Sequence, residues 1–241
     1  MNQHFTIVIP SYNCENWVKK NLNSAINQEY ENYEILYIDD ASTDNTYSKA
    51  HEYLKNSGIN YRIARNRTNK RALHNLVHAI DNAIEDTIIV ALDGDDWLAN
   101  KNVLKKLDKV YSSGDVWITA GSYIDNVLLE TTKPNIPEGF WEDIRNSKWT
   151  LSHLRTFKKS LFKKIRKEDL LDFDGQYYKF TWDRVIMYPM VEMAGKENFK
   201  PINEVLYVYN RKNPISVDRV HREEQLRIER EVRQKPFYKK I

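Results

Sequence analysis

A chain of 241 residues with 41% apolar and 29% charged side chains has the composition of a soluble globular domain, not of a disordered segment. Its net charge is only +3, and its single cysteine, Cys14, excludes an intrachain disulfide and makes a reducing compartment the simpler expectation. No stretch approaches the roughly 18 consecutive apolar residues of a bilayer-crossing helix, and the apolar run within MNQHFTIVIP is too short for a secretory leader. The expectation is a cytoplasmic or otherwise soluble protein, placed in a secretory compartment only if the chain is a piece of a longer one.

The first half alternates two periodicities. Phe5–Ile9 (FTIVI) is a short apolar run stopped by Pro10, as suits a strand buried on both faces of a parallel sheet. Trp17–Ile26 carries Trp17, Val18, Leu22, Ala25 and Ile26 on one helical stripe. Tyr33–Ile38 is a second strand, ending at Asp39-Asp40. Ser42-Thr43-Asp44 offers caps for a helix through Leu54, and Gly58 offers its stop. Ile59–Ala64 reads as a strand, Ala72–Ile84 as a helix, Thr87–Leu92 (TIIVAL) as a strand ending at Asp93, Val103–Val110 as a helix and Val116–Ala120 as a strand. The second half is less regular. Lys133–Phe140 is a loop by its two Pro and one Gly, Trp149–Leu161 a strand entering a short helix, Trp182–Ala194 a helix despite Pro189, and Val205–Tyr209 a strand.

Strands alternating with helices imply an α/β fold with a mostly parallel sheet covered on both faces. Ligands in such sheets collect beyond the carboxyl ends of the strands. Each strand end here is polar: Ser11-Tyr12-Asn13, Asp39-Asp40, Arg65-Asn66 and Asp93 to Asp96. Those four clusters are expected along one edge, forming one cleft. Asp93, Asp95 and Asp96 crowd one strand terminus, where three carboxylates repel one another unless a cation neutralises them. Hard oxygen donors suit Mg²⁺ or Mn²⁺, which usually bind a substrate phosphate as well. Taken alone, Asp-Gly-Asp is equally a turn with Gly94 at positive φ. No phosphate-cradling G-x-x-x-x-G-K-[ST] or G-x-G-x-x-G loop is present, and only seven glycines occur in the chain. A nucleotide here would be held by side chains and metal.

In chain order, IVIPSYN (Ile7–Asn13), ILYIDDASTDNT (Ile35–Thr46) and ALDGDDWL (Ala91–Leu98) together resemble the family-2 inverting glycosyltransferases of the GT-A fold. The resemblance implies a Rossmann-like sheet flanked by helices, with a nucleotide-sugar half over residues 1–121 and an acceptor half with a basic tail over residues 122–241. It implies a UDP-sugar donor, a divalent ion (Mn²⁺, or Mg²⁺) and single displacement at the anomeric carbon. By that resemblance Pro10, Ser11 and Tyr12 line the base and ribose, and Asp39 accepts from uracil N3–H. Asp93 faces the ribose or the metal, and Asp95 ligates the metal on the diphosphate. Gly94 lies between them, and Asp96 and Trp97 shape the sugar pocket. Asn69-Lys70-Arg71 falls where the family reads N-x-G, which leaves Arg71 as a diphosphate or base contact or, equally, a surface base at a helix start.

The resemblance also implies a carboxylate base near a helix start in the second half. Asp183 fits, although the usual Glu-Asp is here Trp182-Asp183. Asp172 and Asp174 are rivals, with a turn at Gly175 as their plain reading. After Val205–Tyr209 the family closes over the diphosphate with a basic or His-bearing segment. That makes His221 a candidate metal ligand and Arg211 or Lys212 candidates for neutralising the leaving UDP, while His153 is a candidate for the acceptor side. From Arg211 to Ile241 there are ten Lys/Arg against five Asp/Glu. Mixed signs favour a solvated helix, with weak membrane-surface contact or a homodimer as further readings. Glycan, lipid-linked sugar and protein acceptors stay open. A nucleotide-sugar- or glycan-binding module without catalysis is the alternative, and neither a membrane span nor nucleic-acid binding is expected.

Overall fold

The structure, a computed structural model, describes residues 2–241. In the first half, strands β1 (His4–Ser11), β2 (Tyr33–Asp39), β3 (Asn60–Arg65) and β4 (Thr87–Ala91) alternate with helices α1 (Val18–Ile26), α2 (Thr46–Lys55) and α3 (Arg71–Asn82), and α4 (Val103–Ser112) follows. β2 and β4 are buried at every residue and β1 from Phe5 onward, because helices cover both sheet faces. Successive β1 side chains serve opposite cores. Ile7 and Ile9 pack with Val18, Leu22, Leu54 and Leu104 of α1, α2 and α4, while Val8 packs with Leu73, Leu76 and Ile80 of α3. None of the expected caps holds the cap position of α2, which falls to Asn45 without a side-chain cap bond, while Asp44 accepts from the Thr46 amide at 2.9 Å.

The second half adds β5 (Trp97–Leu98), β6 (Ile118–Asp125), β7 (Thr131–Thr132), β8 (Arg155–Lys158), α5 (Lys159–Phe162), α6 (Trp182–Asn198), β9 (Phe199–Tyr209), α7 (Val217–Val220) and α8 (Arg222–Gln234). One curled sheet runs β3-β2-β1-β4-β8-β6-β9-β5, with β7 on β6. The parallel run β3-β2-β1-β4 ends at β8, which lies antiparallel between β4 and β6. The strand expected at Val116–Ala120 therefore sits one place further out. Local periodicity cannot reveal such an insertion, since β8 pairs with β4 across more than sixty residues of chain. β9 is longer than VLYVY and shifts register just beyond Pro201, which has no amide to give the ladder. α6 runs on through Pro189 and breaks at Gly195, where φ is 63°.

Two arginines of the basic tail pair with its own glutamates. On α8, Arg227 bonds Glu224 at 2.8 Å and Arg233 bonds Glu229 at 2.7 Å, while Ile228 and Val232 enter the core. Arg145 fastens this helix down. Its Nη2 reaches Glu192 of α6 at 2.8 Å, and its Nη1 donates to the carbonyls of Val232 and Lys235 at 2.8 and 2.9 Å. Both ion-pair side chains are almost fully buried. Removing one partner strands the other charge in the core. Arg145→Met should therefore cost about 3–5 kcal/mol, read from the midpoint and slope of denaturant unfolding.

Candidate active site

Register brings the polar strand ends onto one edge, with Ser11 opposite Asp39 and Asp39 opposite Arg65. Beyond β4 the chain continues close to β1, the Gly94 amide donating to the Pro10 carbonyl at 3.1 Å. This approach requires glycine: a Cβ on Gly94 would lie 1.9 Å from Ser11 Oγ and 2.9 Å from the Pro10 oxygen. Asn21 of α1 ties the turn below, donating to the Asp93 carbonyl at 2.9 Å and to the Asp96 carbonyl at 2.8 Å.

The three aspartates have different surroundings. Asp96 is buried, accepting from Tyr207 OH at 2.5 Å and from the Asn210 amide at 2.7 Å. Burial, then the charges of Asp95 and Asp93, push its carboxyl well above the usual range. Asp95 accepts from Asn213 Nδ2 at 2.7 Å. Asp93 is part-exposed and has His153 Nε2 at 3.5 Å from Oδ2. The His153 ring stacks on Tyr207 at 4.6 Å between centroids, and burial followed by Arg155 lowers its pKa, so it stays a neutral donor set for a metal.

Facing these acids across a cavity of about 560 Å³ is the start of α6. Asp183 there bonds Arg155 Nη2 at 3.0 Å. Burial alone would raise the Asp183 carboxyl, but the charges of Arg155 and Arg184 outweigh it and hold it below the ordinary range. Arg155 is buried and lies over the Trp182 ring at 5.3 Å. Arg71, Phe180 and His221 line a further wall, the Arg71 guanidinium 5.3 Å from the Phe180 ring and the His221 ring stacked on Phe180 at 4.4 Å between centroids. Beside the β1 end, Asp39 and Ser11 are buried, and Asp39 Oδ1 and Ser11 Oγ have no protein partner. Asp40 anchors the loop before α3, accepting from the Lys70 and Arg71 amides at 2.7 and 2.8 Å.

A glycosyl transferase family 2 model matches residues 6–170 of this sequence, more than half of it. The chain belongs to that family. It is 36% identical over 97 residues to WfgD of Escherichia coli, a UDP-Glc:alpha-D-GlcNAc-diphosphoundecaprenol beta-1,3-glucosyltransferase, a match covering 40% of this chain and 37% of WfgD. It is 27% identical over 103 residues to the poly(ribitol-phosphate) beta-N-acetylglucosaminyltransferase TarS of Staphylococcus aureus, covering 42% of this chain and 18% of TarS. The matched stretch is thus well under half the length of these relatives. In structure it resembles TarS 1-349 in complex with UDP (TM-score 0.68, 20% identity, 95% of this chain and 65% of that one). It equally resembles the mannosyltransferase PcManGT of Pyrobaculum calidifontis with GDP-Man and Mn²⁺ (TM-score 0.68, 18% identity, 99% and 66%). The fold is GT-A.

Against this family frame, Pro10, Tyr12, Arg71, Asp93, Gly94, Asp95, Asp96, Asp183 and His221 all line the one cavity, and Asp39 and Ser11 lie buried beside it. Several expected roles shift. Among the described residues, the side chains whose donor atoms come together for a cation are Asp93, Asp96 and His153, not His221. Both Asp96 oxygens already accept hydrogen bonds, so its carboxylate braces the turn. Arg211 is bonded to Asp125, and the segment after β9 closes over Asp95 through Asn210 and Asn213 instead. Trp97 is buried in β5 under Lys20, away from the cavity. Asp172 forms a turn with Gly175, its Oδ1 accepting from the Asp174 and Gln176 amides, and neither acid reaches the cavity. Arg155 escaped the sequence reading because it sits inside the basic stretch Leu154–Lys159. The only signal was strand alternation, which turns Arg155 inward.

Arg71 adopts φ 71°, the left-handed region where glycine rests without strain and a side chain costs about 1–2 kcal/mol. Arg71 thus takes a backbone shape suited to glycine while its side chain lines the cavity. Arg71→Gly should leave stability unchanged or raise it by up to about 1 kcal/mol in thermal unfolding. Calorimetry with UDP and Mn²⁺ should show weaker binding for the same variant.

Proposed function

We propose that this chain transfers a sugar from a UDP-sugar (glucose, galactose or N-acetylglucosamine) to an acceptor hydroxyl, with inversion and with a divalent ion. The observation that carries this reading is the cavity itself, with Asp93 and Asp95 on one wall and Asp183, braced by Arg155, on the facing wall. The buried, unpartnered Asp39 Oδ1 offers an acceptor for a base N–H, as a uracil would present. WfgD carries UDP-Glc in its name, and TarS has been solved with UDP and with UDP-GlcNAc.

The donors suit a hard or borderline cation: Asp93 and His153 bring a carboxylate and an imidazole together, and Asp95, on the same cavity wall, adds a second carboxylate. Such an ion, Mn²⁺ or Mg²⁺, would neutralise the donor diphosphate and the departing UDP. The chain's own residues do the rest. The acceptor oxygen attacks the anomeric carbon, the bond from that carbon to the UDP oxygen breaks, and the hydroxyl proton passes to the Asp183 carboxylate. Arg155 fixes the direction of that carboxylate, and Asn210 and Asn213 hold the Asp95 turn in place from above. Asp183→Asn should lower kcat by about 10²–10⁴-fold with little change in donor KM. Asp95→Asn, or a chelator, should abolish UDP release from the UDP-sugar. Metal-independent release would sink the reading.

Arg155 also fixes an expected pH dependence. Asp183, with its pKa depressed, stays ionised into acid, and activity falls only as pH drops through that low value. Arg155→Met removes the first-named source of the depression, so the acid limb of kcat/KM should move to higher pH, and Arg155→Lys should restore part of the shift. A rival reading is a nucleotide-sugar-binding module without catalysis, favoured by the same Arg155 contact, since a guanidinium on the carboxylate weakens it as a base. UDP and Mn²⁺ binding with no turnover across a panel of sugar donors would favour that rival.

A further inference from the structure

Helix α3 carries two histidines outside the cavity, His74 and His78. They stand four residues apart, about one helical turn, and so share one face beside the buried stripe of Leu73, Leu76, Val77 and Ile80. Their rings lie 4.3 Å apart between centroids, with planes inclined by 33°. Tyr177 meets the His74 ring edge-on, 5.4 Å away and at 88°. His74 is half-buried by this arrangement, and His78 is exposed to solvent.

A second sign comes from His74 alone. Its Nδ1 is buried and has no hydrogen-bond partner among the described residues. Most buried polar atoms in folded chains are paired, because leaving one without a partner is costly. Packing by itself gives no reason for an imidazole here rather than an apolar ring. Nor do two adjacent imidazoles favour each other by charge, since they repel once both are protonated.

Two imidazoles at this spacing can chelate. A pair of histidines four apart on one helical face is an arrangement by which helices hold zinc. Imidazole suits Zn²⁺, Ni²⁺ and Cu²⁺, whereas carboxylates suit Mg²⁺ and Mn²⁺. The pair therefore differs in kind from the Asp93–His153 site, where acids lead. Asp81 stands three residues past His78, a neighbour on the same helical surface. Its carboxylate bonds Lys163 at 2.8 Å in an exposed ion pair, a contact weak enough to give way to a divalent ion. Water completes the shell of such an ion.

The cluster adjoins the cavity along two stretches of chain. Arg71, which lines the cavity, begins α3 three residues before His74. Tyr177 lies three residues before Phe180, whose ring the Arg71 guanidinium approaches to 5.3 Å.

We propose that His74 and His78 form a second metal site, which takes a borderline divalent ion through two imidazoles and clips successive turns of α3. It is separate from the acidic site that the transferase reading gives to Mn²⁺ or Mg²⁺, and it does not depend on that reading.

The test is calorimetric titration of the full chain with Zn²⁺, with Co²⁺ absorption spectra and thermal melts on the same preparations. Asp93→Asn serves as the parent, because it removes a donor from the acidic site. This parent is expected to bind one Zn²⁺ that excess Mg²⁺ does not displace, and Zn²⁺ should raise its melting midpoint. Adding His78→Gln should weaken Zn²⁺ binding at least about tenfold and remove that rise. Adding His78→Cys should keep the binding and give a thiolate-to-cobalt absorption band that the parent lacks, its other thiol, Cys14, being buried. His78 is exposed, so neither change disturbs the core. A His78→Gln protein that binds Zn²⁺ as tightly as its parent would overturn the site, as would a His78→Cys protein without the band. Uptake only at millimolar Zn²⁺, or Zn²⁺ displaced by Mg²⁺, would mean an adventitious ion only and would overturn it equally.

Discussion

A single buried carboxylate holds the two halves of this molecule in register. Asp96 follows the β4 end, and its two oxygens are taken by Tyr207 of β9 and by the Asn210 amide just past it. A buried carboxyl group of this kind is costly unless fully hydrogen-bonded, so its partners cannot drift. Through it the end of a parallel strand near the middle of the sheet is locked to a strand on the far side. Asp95, next to it, is held by Asn213 from the same segment. The edge that carries Asp93 and Asp95 is thereby fixed by contacts made more than a hundred residues later.

The facing wall is built by a second set of polar contacts. α6 begins at Trp182 with Thr181 in the left-handed region, and α8 supports that start from outside. Arg184 pairs with Glu229 at 3.0 Å, Tyr178 OH donates to Glu231 at 2.6 Å, and Arg145 fastens α8 to α6 from the other end. Asp183 is thus presented by a helix that two other segments hold in place. Arg155, arriving on the antiparallel strand β8, supplies its counter-charge. Preorganisation of this type keeps a carboxylate aimed without requiring it to move when substrate binds.

The two walls differ in how they address charge. The β4 wall gathers like charges that call for a cation, and the α6 wall balances its carboxylate with arginines. In the proposed transferase reading, the acid cluster serves the diphosphate and the separate, internally compensated carboxylate takes the hydroxyl proton. Asn126, in the turn between β6 and β7, bonds the residue that braces Asp96.

Much of the first half was legible in the sequence because its determinants are local. Apolar runs ending in polar clusters mark strands buried on both faces, and the Asp39-Asp40 and Asp93–Asp96 ends necessarily fall on one edge once the strands are parallel. The three motifs at Ile7–Asn13, Ile35–Thr46 and Ala91–Leu98 identified the family for the same reason. What only the tertiary structure decided depends on pairings distant in sequence. β8 lies between β4 and β6, and this places Arg155 on Asp183 and His153 beside Asp93. His221 is stacked on Phe180. No periodicity within β8 or around His221 carries that information. A strand's place in a sheet is set by which edge is left to pair, and a polar side chain's role by which charge the finished fold sets opposite it.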